Sequence, residues 1–176
     1  MVTLVLGGVR SGKSRYAQQL AKCTENVIFV ATAEARDDSE MRAKIMRHQS
    51  ERPAQWKTIE EPIALARVLS EPYADSQVIL VDCLTIFASN ILEHFGENTT
   101  ANHPEIEALC LALTRARYSV ILVSNEVGSG VVPAYALGRR FRDLLGELNQ
   151  RVAAVSDNVL LMVAGLPLVL KGGLPS

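Results

Sequence analysis

The chain has 176 residues, 48% of them hydrophobic and 21% charged, with a net charge of -1. That length suits one well-buried domain, and the near-neutral balance argues against a sequence-independent nucleic-acid binder, which needs a basic excess to displace counterions from phosphates. Cys23, Cys83 and Cys110 are odd in number and widely spaced, which suggests neither a disulfide framework nor a zinc site and suits a reducing cytoplasm. No apolar run approaches a membrane span and no leader pattern precedes the first apolar run at Val2, so a soluble, unprocessed, cytoplasmic protein with small-molecule partners is expected.

In chain order, β-branched apolar runs alternate with helical patterns. Strands are expected at 2–6, 27–31, 78–81, 120–124 and 159–163, and helices at 14–22, 38–49, 63–69, 84–95, 104–117 and 134–155. Continuous apolar runs mark strands covered on both faces, and their alternation with helices predicts an α/β domain with a largely parallel sheet. Residues 158–163 and 168–171, separated by Gly165-Leu166-Pro167, read as an antiparallel hairpin at one edge. The stretches 51–62 and 96–103 read as loops within the same domain.

The first strand leads into Gly7-Gly8-Val9-Arg10-Ser11-Gly12-Lys13-Ser14, which matches G-x-x-x-x-G-K-[ST] at every fixed position. Glycines let backbone N–H groups turn inward around an anion, and the helix that follows adds its positive end. Lys13 is expected on the β and γ phosphates of a nucleotide, and the Ser14 hydroxyl on a magnesium ion shared with them. In open α/β sheets ligands sit beyond the carboxyl ends of the strands, so the residues after each strand are the next candidates. Asp82 ends the third run and suits magnesium, directly or through water, or alternatively a helix cap. Asn125-Glu126, after the fourth run, serve either the site or a turn. His48 shares a helical face with Met41 and Ile45, which suits packing, yet Arg47 and Arg52 flank it with groups that could hold phosphate oxygens. His94 and His103 have no such company and are expected at the surface.

The chain resembles the bifunctional adenosylcobinamide kinase and adenosylcobinamide-phosphate guanylyltransferase family of cobalamin assembly over nearly its whole length. The matching residues are the loop at 7–14, Ala31-Thr32, Ile45 with His48 and Arg52-Pro53, Trp56, Asp82-Cys83-Leu84-Thr85, Asn125-Glu126-Val127-Gly128 with Val132-Pro133, Phe141-Arg142-Asp143, and Asn149-Gln150. The loop is common to many enzymes; the His-x-x-x-Arg-Pro and Asn-Glu-Val-Gly elements in this order are far more specific. The resemblance implies a single-domain RecA-like P-loop fold, a homotrimer, and two reactions on a corrinoid. The aminopropanol hydroxyl of adenosylcobinamide is first phosphorylated with ATP or GTP. GTP then gives GMP to a histidine, and the GMP passes on to the substrate phosphate, giving adenosylcobinamide-GDP.

Carried onto this chain, the resemblance makes His48 the nucleophile and Gly7, Gly8, Val9, Arg10, Ser11, Gly12, Lys13 and Ser14 the triphosphate cradle. Further GTP contacts fall to Ala31, Thr32, Ala33, Gln49, Ser50, Glu51, Arg52, Glu60 and Asp82, with Mg2+ on Ser14 and Asp82. Members of the family can carry two adjacent histidines where this chain has Arg47-His48, and the Arg-Pro spacing singles out His48. Two rival readings are a simple small-molecule kinase, which would form no covalent GMP, and a nucleotide-sensing RecA-like module, which would hydrolyse slowly and answer to a partner.

Overall fold

A computed structural model of the protein describes residues 1–33, 53, 55–73 and 77–175. Twelve elements follow one another among them. They are β1 (Val2–Gly7), α1 (Lys13–Ala21), β2 (Val27–Ala31), β3 (Lys57–Glu60), α2 (Leu65–Ser70), β4 (Val78–Asp82), α3 (Leu84–Phe95), α4 (Pro104–Thr114), β5 (Ser119–Asn125), α5 (Ala136–Val155), β6 (Asn158–Val163) and β7 (Leu166–Lys171). The strands form a seven-stranded sheet in the order β3-β2-β4-β5-β1-β6-β7. Every neighbouring pair is parallel except β6 with β7. The strand that carries the glycine loop and the strand that carries Asp82 thus have β5 between them, and the expected largely parallel sheet with an antiparallel edge hairpin is what the chain forms.

Because side chains alternate across a strand, each run divides its apolar residues between two cores. Leu4, Leu6, Ile79, Val81, Val120 and Leu122 face one side and pack with Phe87, Ile91, Leu109, Leu145 and Leu148 from α3, α4 and α5. Val5, Phe29, Leu80, Ile121 and Val123 face the other and pack with Ala17 and Ala21 of α1 and with Trp56. By the same alternation Gly7, Ala31, Asp82 and Asn125 all fall on the α1 side, so parity alone brings the ends of four strands toward one place.

Two expectations about the edges of the sheet are corrected. The stretch 51–62 contains β3, an edge strand paired with β2 through Ile28↔Lys57 to Ala31↔Glu60. Its residues Lys-Thr-Ile-Glu are mostly exposed, so it lacks the apolar run that marks a buried strand. The hairpin turn lies at Ala164-Gly165, both at positive φ (53° and 83°), the geometry of a two-residue turn that matches strand twist. β7 consequently begins at Leu166 and contains Pro167, which an edge strand tolerates because it need not donate on its open side. The helix expected at 38–49 lies outside the described residues.

The helix expected to start at Ile63 starts at Leu65, and Glu61 is the reason. Its buried carboxylate accepts hydrogen bonds from the Ile63 N–H (3.1 Å) and the Ala64 N–H (2.8 Å) through Oε1, and from Arg67 (2.5 Å) through Oε2. Burial pushes this carboxyl up, but the bonds from Ala64, Arg67 and Ile63 outweigh it and hold it below its usual range. A carboxyl depressed in the folded state stabilises the fold above the ordinary carboxylate range, and that stability is lost as pH falls through the depressed value. Glu61→Gln is therefore expected to cost about 1–2 kcal/mol at neutral pH, read by denaturant unfolding. The gap to the unmodified protein should close as the pH is lowered through the acid range; a pH-independent gap would mean that the lost stability is packing, not charge.

Candidate active site

β1 delivers its last residue, Gly7, into the loop, and the loop closes on itself. The Ser11 N–H donates to the Gly8 carbonyl (3.3 Å), and the Tyr16 N–H donates to the Gly12 carbonyl (2.9 Å) as α1 begins. Gly12 has φ 93°, and Gly7 is forced because a Cβ there would lie 2.3 Å from Ser11 Oγ. The loop is also braced from outside: the Gly165 N–H of the β6–β7 turn donates to the Ser11 carbonyl (3.0 Å). Lys13, first residue of α1, folds back so that Nζ donates to the Gly8 carbonyl (3.1 Å). Burial pushes its ammonium below its usual range, opposed by nearby Cys83 and Asp82. Burial raises the Cys83 thiol to about 11, so Cys83 is uncharged at neutral pH and Asp82 is the counter-charge that Lys13 meets.

Asp82 closes β4 in register with Ala31 on one side and Val123 on the other, and Ala31 pairs in turn with Glu60. Glu60, Ala31 and Asp82 thus stand side by side at the carboxyl ends of β3, β2 and β4. The cap position of α3 is Cys83, not Asp82, and no side chain caps that helix. Thr32 is fully buried. Its hydroxyl donates to the Cys83 carbonyl (2.8 Å) and accepts from the Cys83 N–H (2.9 Å), while Asn90 Nδ2 donates to the Thr32 carbonyl (2.8 Å) and the Pro62 carbonyl (3.1 Å). This network pins the end of β2 to α3 and sets the wall beside Asp82. Sequence reasoning passed over Asn90 and Glu61; the signal for Asn90 was one amide in an otherwise apolar stretch of helix.

Between the loop strand and the Asp82 strand, β5 ends at Asn125, paired with Gly7. The Glu126 N–H donates to the Gly7 carbonyl (3.1 Å), and its carboxylate accepts from the Gly128 N–H (2.7 Å), so Glu126 serves the turn. His94 is exposed with Nδ1 2.9 Å from the Asn90 carbonyl. His103 is half-buried rather than a plain surface residue, because its Nδ1 accepts from the Glu105 N–H (3.3 Å) and caps α4. His48, Gln49, Ser50, Glu51 and Arg52 lie outside the described residues.

The donor set suits magnesium. Ser14 and Asp82 offer hard oxygen ligands, and no group of three His, Cys, Asp or Glu that could enclose a metal occurs among the described residues. An ion that keeps several waters and takes its remaining oxygens from phosphates needs only one or two protein ligands. Among the described residues no helix is long and apolar enough to cross a membrane.

The sheet order, the glycine loop and the acid two strands away define a P-loop nucleotide-binding protein with a RecA-like core. A family model described as cobinamide kinase / cobinamide phosphate guanyltransferase matches residues 3–170, and the chain belongs to that family. It is 44% identical over 173 residues to the bifunctional adenosylcobalamin biosynthesis protein CobP of Pseudomonas aeruginosa, covering 98% of each chain. To the protein CobU of Salmonella typhimurium, which carries the same description, it is 40% identical over 182 residues, covering 97% of this chain and all of the relative. Among solved structures, the RadB recombinase is similar with a TM-score of 0.49 at 12% identity, over 99% of this chain and 82% of the other.

Proposed function

We propose that this chain is a bifunctional enzyme of cobalamin biosynthesis that phosphorylates adenosylcobinamide with ATP or GTP and then transfers GMP from GTP, through a guanylylated His48, to give adenosylcobinamide-GDP. The family match across residues 3–170 carries the reading. The grouping of Lys13, Asp82 and the strand ends on the α1 side supports it. In the kinase step, the loop N–H groups and Lys13 hold the triphosphate in line, and the substrate hydroxyl attacks the γ phosphorus as nucleoside diphosphate leaves. In the guanylyl step, a neutral His48 imidazole attacks the α phosphorus and pyrophosphate leaves. The substrate phosphate then attacks the same phosphorus and frees the histidine. Two displacements replace one difficult one.

Magnesium, held by Ser14 and Asp82, would offset charge on the phosphates in both steps. Gln49, Ser50, Glu51, Arg52, Ala31, Thr32, Ala33 and Glu60 complete the proposed nucleotide contacts, Thr32 through its place in the wall. Residues 1–176 act as one P-loop nucleotide-binding domain, which the shared sheet supports, and the working form is a cytoplasmic homotrimer, which the family resemblance supports. Asp82→Asn tests the metal role directly. With Cys83 at the cap position, the variant should fold as the unmodified protein does, yet lose on the order of a hundredfold in magnesium-dependent turnover. Unchanged turnover across a magnesium titration would remove Asp82 from the metal site.

A further inference from the structure

Asn125 sits at the carboxyl end of β5, between the strand that bears the phosphate loop and the strand that bears Asp82. Its backbone is locked from both sides. The N–H donates to Thr85 Oγ1 (2.8 Å), and the carbonyl accepts from Asn149 Nδ2 (3.0 Å), while Asn149 Oδ1 is held by Ser124 Oγ (2.7 Å). The side chain, by contrast, has no partner. Oδ1 is buried without a hydrogen bond, and no described residue accepts from Nδ2. Alternation along β5 turns this amide to the α1 side, the side of Lys13 and Asp82. One other buried side-chain atom among the described residues lacks a partner, Ser11 Oγ, which packs against Gly7, the residue paired with Asn125. A hydroxyl donor in the phosphate loop and an amide acceptor at the end of the neighbouring strand β5 thus both stand unpaired.

A rigidly mounted amide left unsatisfied at a site is costly unless a ligand completes it. Fixed donors aimed at a place where charge will sit are how transfer sites gain rate. We propose that Asn125 is a positioning residue for the transferred phosphoryl group. Nδ2 donates to a terminal phosphate oxygen of the bound triphosphate, and the backbone bonds to Thr85 and Asn149 hold the amide in place. In the transfer, the substrate hydroxyl oxygen bonds to the γ phosphorus and the bond to the β,γ-bridging oxygen breaks. Its electron pair leaves on the nucleoside diphosphate, and the hydroxyl proton goes to solvent. Asn125 gives and takes no proton. The inference rests on the proposed kinase activity, but it separates the two reactions. The terminal phosphate is the transferred group in phosphorylation and only part of the leaving pyrophosphate in guanylylation.

Asn125→Ala and Asn125→Leu in the full-length protein test it, the second because it keeps the bulk and removes the donor without adding charge. Without nucleotide both variants should melt at or above the temperature of the unmodified protein, since no protein hydrogen bond is lost. The extra thermal stabilisation by a non-hydrolysable ATP analogue over ADP, with magnesium, should shrink, with the remainder left to Lys13 and magnesium. Cobinamide phosphorylation should fall about a hundredfold in kcat, while labelling of the protein by α-labelled GTP stays within about threefold. The proposal is overturned if Asn125→Leu phosphorylates as well as the unmodified protein, if the preference for triphosphate persists undiminished, or if melting temperature and both activities fall together, as a packing role requires. If the unmodified protein phosphorylates no cobinamide, the proposed function fails, and the ATP-analogue-minus-ADP difference in melting still decides for or against Asn125.

Discussion

His48→Ala is expected to abolish GMP transfer to adenosylcobinamide phosphate while leaving adenosylcobinamide phosphorylation within a few-fold of the unmodified rate. The two reactions share a triphosphate site but not a nucleophile. Phosphorylation uses the substrate's own hydroxyl, whereas guanylyl transfer by double displacement needs an imidazole that can accept and release the nucleotide. Without it, direct attack by the substrate phosphate on GTP would bring two anions together with no intermediate to divide the barrier. A loss of at least a thousandfold is the scale for removing a covalent nucleophile. The rival is a histidine packed against Met41 and Ile45 on one helical face. That rival predicts a lower melting temperature and a parallel decline in both activities. Rate measurements on each half-reaction, beside a melting curve, separate the two.

Lys13→Ala should lower both activities together, by on the order of a hundredfold to a thousandfold. The ammonium serves the triphosphate whichever phosphorus is attacked. Its effect on stability runs the other way. A base held below its usual range binds protons less well folded than unfolded, so the charged form costs the fold stability at neutral pH, and that cost fades as pH rises. Removing Lys13 should leave the melting temperature without nucleotide unchanged or slightly higher, and should abolish most of the stabilisation that the triphosphate confers. Near-normal phosphorylation in this variant would take Lys13 out of the mechanism, and a large loss of stability would mean that it braces the loop instead.

What could be read in advance depended on how much the physics is written into adjacent residues. The loop at 7–14 was legible because close approach demands glycine at fixed places. The Gly7 Cβ contact and the positive φ of Gly12 show that demand. The central strands were legible because both of their faces are buried. β3 was not, since Lys57, Thr58, Ile59 and Glu60 pair along one edge and leave little apolar signal. Asp82 was singled out for metal or cap; Cys83 holds the cap position, and the metal role is the proposal that Asp82→Asn tests. Glu61 and Asn90 escaped because their partners lie in segments far apart in the chain or in a helix start that one carboxylate shifts by two residues. Asn125 was noticed yet undecided for the same reason. A strand end reveals its meaning only when Gly7, Ser11 and Asp82 are set beside it.

Intact-mass measurement after incubation with GTP and magnesium tests the central claim most directly. One added GMP per chain is expected, surviving denaturation and base but lost in acid, as a phosphorus–nitrogen bond requires, and peptide mapping should place it on the segment that contains His48. No added mass, or GMP attached at any other residue, would contradict the account.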